Sequence, residues 1–290
     1  MSQKFFEKEL HIDLLPCATP IRFVHKYSFE RPEGFRLHLN DYLELYIFAK
    51  GKVDYIVGND CFALTCGDVL AISPHEVHVP VLRHPCEYER FYLLIPLDSF
   101  KGYRTDPLRT LSAQGRAKIP LSEADKTHVL RLLGEISALC EGKSTDGVKL
   151  TALGLLHQLL GILTAADTRS EEKIPPPSGV PQLVREVLQY INRAPQEPHA
   201  VSDIAARFHI SPPYLSSLFK RHVGVTVSSY LRVQRIALAK RLLEQGHLVS
   251  FVCFECGFSD SSHFIKHFKQ YVGVTPHVYQ RGIAKEKDDG

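Results

Sequence analysis

A short phrase in this chain occurs twice. Phe-Lys-x-x-Val-Gly-Val-Thr-x-x-x-Tyr-x-Arg runs from Phe219 to Arg232 and returns 49 residues later, from Phe268 to Arg281. A repeat this specific over so few residues implies two copies of one small structural unit. Each copy reads as the end of an amphipathic helix, a glycine stop (Gly224, Gly273), a threonine cap (Thr226, Thr275) and the start of another helix. Two helix-ending units, each with a small polar face, point towards nucleic acid rather than towards catalysis.

The charge distribution agrees. The whole chain of 290 residues carries a formal net charge of only +3, too little to imply polyanion binding by itself. From Val180 onward, however, Lys and Arg number 14 against 9 Asp and Glu, net +5, and the residues before it carry 21 against 23. The basic excess lies in the half that holds the repeat. Lys4, Glu7, Lys8, Glu9 and Asp13 interrupt the N-terminal segment, so it lacks a signal-peptide core. The most apolar long run, Leu150 to Ala166, contains His157 and Gln158 and reads as too short and polar to span a bilayer. A cytoplasmic protein without membrane partners is expected. Seven cysteines with no disulfide-scaffold spacing agree with a reducing compartment.

Along the chain, Tyr42 to Phe48, Val53 to Val57, Val69 to Ile72 and Arg90 to Ile95 are β-branched or aromatic runs separated by turn signals such as Lys50-Gly51, Gly58-Asn59-Asp60 and Cys66-Gly67-Asp68. Short strands at this spacing suggest a small sandwich or barrel. Helical patterning follows. Ser122 and Asp125 resemble a capping box before Val129, Leu132, Leu133, Ile136 and Leu139, with Gly142 as the stop. Asp146 to Ala166 supplies a second helix with a broad Leu/Ile face, fit either to mediate dimerisation or to pack on its own barrel. Thr168 to Pro181, with Glu171-Glu172-Lys173 and Pro175-Pro176-Pro177, reads as an interdomain linker. Only helices are expected after it, the longest from about Val227 to Gln245.

In the first unit, Val201 to Phe208 is a short helix, His209-Ile210 a tight turn, and Ser211 the cap of a second helix with Pro212 in its first turn. Leu215, Leu218 and Phe219 face inward, leaving Pro213, Ser216, Ser217 and Lys220 outside. The second unit places Val252, Cys253 and Cys256 inward, turns at Gly257-Phe258-Ser259, caps with Asp260, and buries Phe264, His267, Phe268 and Tyr271. Ser261, Ser262, Ile265, Lys266 and Lys269 face outward. This is helix-turn-helix construction, in which the second helix lies in the major groove. Serines can bond several bases, Ile265 suits a thymine methyl and Lys266 suits guanine acceptors. Lys220, Arg221, Lys269, Arg232 and Arg235 suit phosphates.

Residues from about Val201 to Arg281 resemble the DNA-binding domain of the AraC-type bacterial transcription regulators. The likeness rests on Ser211-Pro-Pro-Tyr-Leu-Ser-Ser-Leu-Phe-Lys, Arg235-Ile-Ala-Leu-Ala-Lys-Arg-Leu-Leu, Gly257-Phe-Ser-Asp-Ser-Ser-His-Phe and the run from Phe268-Lys through Val274-Thr-Pro to Tyr279. The resemblance implies a seven-helix domain whose two reading helices enter successive major grooves on one face of the duplex. Phe251 and Phe254 stand where the family usually shows polar residues, and Cys253 where it usually shows Ala. The two phenylalanines would contact another domain or RNA polymerase, or serve local packing.

His38-Leu-Asn40-Asp-Tyr-Leu-Glu44 followed by Gly51, and Gly67 through His78, resemble the two cupin motifs. In the enzyme branches of that superfamily two His, a Glu and a later His hold a metal inside a β-barrel, and imidazole with carboxylate suits Fe, Mn, Ni or Zn. Here Asn40 replaces the second His, and a neutral amide is a poor ligand. The expectation is a pocket in which His38, Asn40, Glu44 and His78 orient a small organic effector or line the barrel, with no metal and no cofactor. Cys253-x-x-Cys256 with His263-x-x-x-His267 has too short a spacer for a zinc finger.

The expected fold class is α+β and multidomain: a cupin-like sensor barrel over residues 1–120, a helix pair over 121–167, a linker over 168–181, and a tandem helix-turn-helix domain over 182–290. The expected function is a sequence-specific DNA-binding transcription regulator and no enzyme, with promoter DNA, RNA polymerase, a small-molecule effector and a second copy of the chain as partners. The alternative is a metal-dependent cupin enzyme, a dioxygenase or isomerase, with an accessory helical domain.

Overall fold

In the computed structural model the described residues are 5–14, 19–32, 35, 37–101, 103, 106–113, 117–169, 180–197 and 200–288. The Glu171 to Pro177 part of the expected linker lies outside them. Nine strands come first: β1 (Phe6–Ile12), β2 (Ile21–Glu30), β3 (Leu43–Lys50), β4 (Val53–Val57), β5 (Asp60–Ala63), β6 (Val69–Ile72), β7 (His78–Leu82), β8 (Cys86–Ile95) and, after helix α1 (Pro107–Ala113), β9 (Lys118–Ile119). They make a six-stranded sheet in the order β1-β2-β8-β3-β6-β9 and a three-stranded sheet in the order β5-β4-β7, with all described pairings antiparallel.

The period-2 alternation of β3 shows how the layers are built. Tyr46 and Phe48 point into the space between the sheets, where they meet Tyr55, Val57, Phe62, Leu82 and Tyr88. Leu43, Leu45 and Ile47 point the other way, into a second core. Both faces of β3 are therefore buried, which requires a cover on the outer side. That cover is the helix pair α2 (Glu123–Leu139) and α3 (Asp146–Arg169), whose Leu132, Leu133, Ile136, Leu156, Leu159, Leu160 and Leu163 close the outer core. At about 1.5–3 kcal/mol for each fully buried aliphatic side chain, this packing fixes the pair on its own barrel. Ser122 caps α2 by accepting from the Asp125 amide, as the sequence indicates, but the helix ends at Cys140, before Gly142. By length and composition alone Asp146–Ala166, with a mean hydropathy of 1.4, suffices to cross a membrane, contrary to the reading of the shorter run.

Seven helices follow among the described residues: α4 (Gln182–Arg193), α5 (Val201–Arg207), α6 (Pro212–Val223), α7 (Val227–Glu244), α8 (Val249–Glu255), α9 (Ser261–Val272) and α10 (Pro276–Asp288). The local signals in the repeat act as the sequence indicates. Ser211, Thr226 and Asp260 accept from amides of the first turns of α6, α7 and α9. Gly224 and Gly273 end α6 and α9 in the left-handed region, at φ 79° and 88°. At Gly257 (φ 77°) a Cβ would lie 2.3 Å from the Gln196 carbonyl oxygen, so only glycine fits this turn.

Strand β7 joins the two halves of the molecule. His78, Val79, Pro80, Val81 and Leu82 are all buried. Leu82 belongs to the barrel interior, and Val79 and Val81 share a core with Val184, Val187 and Leu188 of α4, Leu215 and Phe219 of α6 and Tyr230 of α7. Pro80, a poor strand residue, is tolerated because β7 is an edge strand. The first helix-turn-helix unit thus closes the outer face of the smaller sheet.

Candidate nucleic-acid interface and effector cluster

The two reading helices keep their polar sides open. On α6, Pro213, Ser216, Ser217, Lys220 and Arg221 are exposed, while Leu215, Phe219 and Val223 are buried behind them. On α9, Ser261, Ser262, Lys266 and Lys269 are exposed, with Phe264 and Phe268 fully buried. Neither outward face is covered by the barrel. Two expected contacts need correction. Ile265 is half-buried and packs against the core of the second unit, so only part of its side chain is free for a base. Arg235 donates from Nε to the Pro195 carbonyl (2.9 Å) and from Nη2 to the Glu197 carbonyl (2.9 Å), and its guanidinium lies 5.9 Å from the Phe258 ring centre. It ties the loop after α4 to α7, which limits its reach to a phosphate.

Between α7 and the start of α9 lies an open groove of about 300 Å³ lined by Ser228, Arg232, Arg235, Ser259, His263 and His267, among others. The sequence marks Arg232 as a phosphate contact but gives neither histidine a DNA-facing role. His267 was assigned to the interior, yet it is half-buried and lines this groove. Burial lowers the pKa of His267, the Gln270 side chain opposes this, and the positive charges of Arg232 and Lys266 add to the lowering. The positive charge of the groove comes from Arg232 and Arg235, and the first-turn N–H groups of α9 beside it are capped by Asp260. The i, i+4 spacing of His263 and His267 was visible, but it drew attention only as a zinc signal. Zinc is disfavoured by geometry: Cys253 and Cys256 are buried, His263 is exposed, and burial pushes the Cys256 thiol up to about 12.

The barrel residues do come together. Backbone bonds join His38 to His78 in both directions (2.9 and 3.3 Å). Glu44 Oε2 accepts from Asn40 Nδ2 at 2.8 Å and faces His78 Nε2 at 3.3 Å, while His78 Nδ1 lies 2.8 Å from the Glu76 carbonyl. The His78 ring stacks with those of His38 and Tyr55 at 5.8 and 6.3 Å. Burial disfavours charge on both partners, but the pairing outweighs it: Glu44 is held below the usual carboxylate range and His78 above the usual imidazole range. Burial and the neighbouring His78 lower His38. Glu44 and His78 are paired with each other rather than converging with His38 on a common point. Among the described residues the group whose donor atoms do converge within 4.8 Å is Asp41, His75 and Glu244.

Residues 29–160 match the family model of the AraC-like ligand binding domain, and residues 204–282 match that of a helix-turn-helix domain. The arabinose operon regulatory protein of Salmonella typhimurium is 29% identical over 276 residues, covering 93% of each chain. The transcriptional activator RhaR of Yersinia pestis is 26% identical over 285 residues, covering 94% of this chain and 92% of its own. Among solved structures, the DNA-binding domain of AdpA in complex with a target DNA is 26% identical over 38% of this chain and all of that chain, with a TM-score of 0.36. Apo ToxT from Vibrio cholerae covers 89% of this chain and 96% of its own at 16% identity and a TM-score of 0.39. With a ligand-binding module in front, a DNA-binding helix-turn-helix module behind and transcription regulators as full-length relatives, this chain belongs to the AraC-type family and is a transcription regulator rather than an enzyme.

Proposed function

We propose that the chain reads promoter DNA with α6 and α9 in successive major grooves and that a small molecule in the barrel controls this reading. The observation that carries the proposal is the pair of repeat-related units with uncovered polar faces. Ser216, Ser217, Ser261, Ser262, Lys266 and part of Ile265 would meet base edges, with Pro213 beside them. Lys220, Arg221, Lys269 and Arg232, joined by His263 and His267 in the groove, would meet phosphates. The units are divided as residues 1–120 for the sensor, 121–167 for the helix pair, 168–181 for the linker and 182–290 for the reader.

For the effector, Glu44, Asn40, His38 and His78 offer a carboxylate, an amide and two rings. This set suits a small organic molecule rich in hydrogen-bonding groups. A relative named for the arabinose operon supports a hydroxyl-rich ligand. We assign the protein to the cytoplasm and to a homodimer, with Leu150 on the outer side of α3 64% exposed and available to a second copy. Phe251, which packs its ring on His247 yet stays 49% exposed, and Phe254, 65% exposed, suit RNA polymerase, in keeping with activation, the role printed in the name of RhaR. The test is binding to a duplex selected from a random-sequence pool. Affinity should fall steeply with salt, and Lys266→Ala should lower the slope of log K against log salt by about 1 if it meets a phosphate, or relax base preference at one position by roughly 1–3 kcal/mol if it meets guanine. Salt-independent binding would remove the proposal.

A further inference from the structure

The second helix-turn-helix unit meets the barrel through a cluster of charges. Asp41, from the loop before β3, and His75, from the turn before β7, face Lys240 and Glu244 of α7 and Tyr279 of α10. His75 Nε2 lies 3.0 Å from Glu244 Oε2, and its Nδ1 lies 3.3 Å from Asp41 Oδ1, within ionic range though off the line of a good hydrogen bond. Lys240, 3% exposed at its side chain, is bonded to Asp41. Tyr279 Oη donates to Glu244 Oε1 at 2.5 Å and approaches Asp41 Oδ1 at 3.4 Å, and Lys240 Nζ lies 5.1 Å from its ring centre. His75 itself sits at φ 62°, a conformation that costs a non-glycine residue about 1–2 kcal/mol and that the surroundings must hold.

Two opposing readings of this cluster can be weighed by geometry. A metal ion would need one nitrogen of His75 and both carboxylates on a common point. The donor atoms do lie within 4.8 Å of one another, but the carboxylates, one from each half of the molecule, are nearest to opposite ring nitrogens, and Lys240 already fills the cationic place beside Asp41. An imidazolium fits this arrangement, its Nε2–H donating to Glu244 and its Nδ1 within ionic range of Asp41. With it, two positive groups face two negative ones, so the partly buried cluster is neutral; without the proton it holds an excess negative charge.

We propose that Asp41, His75, Lys240, Glu244 and Tyr279 form a releasable latch that holds the second unit against the sensor barrel while His75 keeps its proton. The direction of titration agrees: burial opposes the charge on His75, the Asp41 and Glu244 carboxylates outweigh it, and the pKa lies above the ordinary value of about 6.5. The contact is therefore complete below that value and is lost as pH rises through the elevated one. The latch also touches the effector cluster. His75 N–H donates to the Asn40 carbonyl at 2.9 Å, and Asn40 is the residue whose amide holds Glu44. Through that link the latch deepens the proposed effector control, on which its regulatory meaning rests.

The test uses the full chain without DNA and then with it. Hydrogen exchange of the α10 segment and the last turn of α7, corrected for intrinsic rates, is followed at pH 6 and pH 8.5 in the wild type, in His75→Asn and in Glu244→Gln. Asn accepts the left-handed backbone with least strain, so His75→Asn spares the turn; Glu244→Gln reports from the other side should that variant misfold. Opening of α10 should rise about tenfold between the two pH values in the wild type, a size usual for coupled sites, and should stand at the high-pH level at both values in the variants. Equal protection at both pH values, or a response to added Zn²⁺ and chelator in place of pH, overturns the latch. With the selected duplex, His75→Asn should bind roughly tenfold tighter than the wild type at pH 6. Unchanged DNA affinity alongside altered exchange overturns the regulatory role and leaves the proposed DNA reading standing.

Discussion

The two helix-turn-helix units are copies of one design, yet they are docked on the barrel by different physics. The first is embedded in a shared apolar core with Val79 and Val81 of β7, and Tyr230 adds a bond to the Gly58 carbonyl at 3.1 Å. The second has a core of its own, around Ile236, Val252, Phe264 and Phe268, and meets the barrel through Asp41, His75 and the edge of Leu39. The tyrosines that mark the repeat make this concrete. Tyr230 is fully buried against the barrel, and its counterpart Tyr279 is half-buried among carboxylates. The first docking is carried by apolar burial, with His222 of α6, near Arg83 and Asp54 of the barrel, held below the usual imidazole range by burial, whereas the second is carried by a charge cluster that one proton can release. Under the proposed latch the first unit is the anchor and the second the releasable one.

The largest way to break this contrast is to charge the anchor. Val81→Asp buries an unpaired carboxylate in the shared core and should cost roughly 3 kcal/mol or more of stability. Chemical denaturation should show this loss, along with freed α6 protection, at pH 6 and pH 8 alike. Tyr230→Phe leaves the Gly58 carbonyl, Asn192 and Gln234 without their common partner and should cost about 1–2 kcal/mol at any pH between 6 and 8. Tyr279→Phe should cost less, about 0.5–1 kcal/mol, and the loss should shrink as pH rises and the latch opens. Equal, pH-independent costs for the two tyrosines would erase the distinction.

What could be read from the sequence follows from the range of each interaction. The caps at Ser122, Ser211, Thr226 and Asp260 and the stops at Gly224 and Gly273 are settled within one turn of chain, and all act as the residues indicate. The strand cores from Tyr42 to Phe48 and from Val53 to Val57 were legible from β-branched and aromatic content. Strand β7 was not, because Pro80 speaks against a strand and its tolerance depends on an edge position that only the assembled sheet defines. Nor was β1, whose polar alternation depends on its partner β2. The candidate barrel cluster was legible as a motif, but its internal pairing of Glu44 with His78 was not. Arg235 looked like a phosphate contact because charge alone carries no information on which carbonyls lie nearby. The docking of reader on sensor involves residues separated by most of the chain, and no local pattern announces it.

Both reading faces are expected to address one stretch of duplex together. Hydroxyl-radical footprinting of the full chain on its selected duplex tests it directly. Two protected windows centred about 10 base pairs apart on one face, with Ser216→Ala with Lys220→Ala weakening one and Ser262→Ala with Lys266→Ala weakening the other, are the expected result. A single window that survives either pair of substitutions would contradict it.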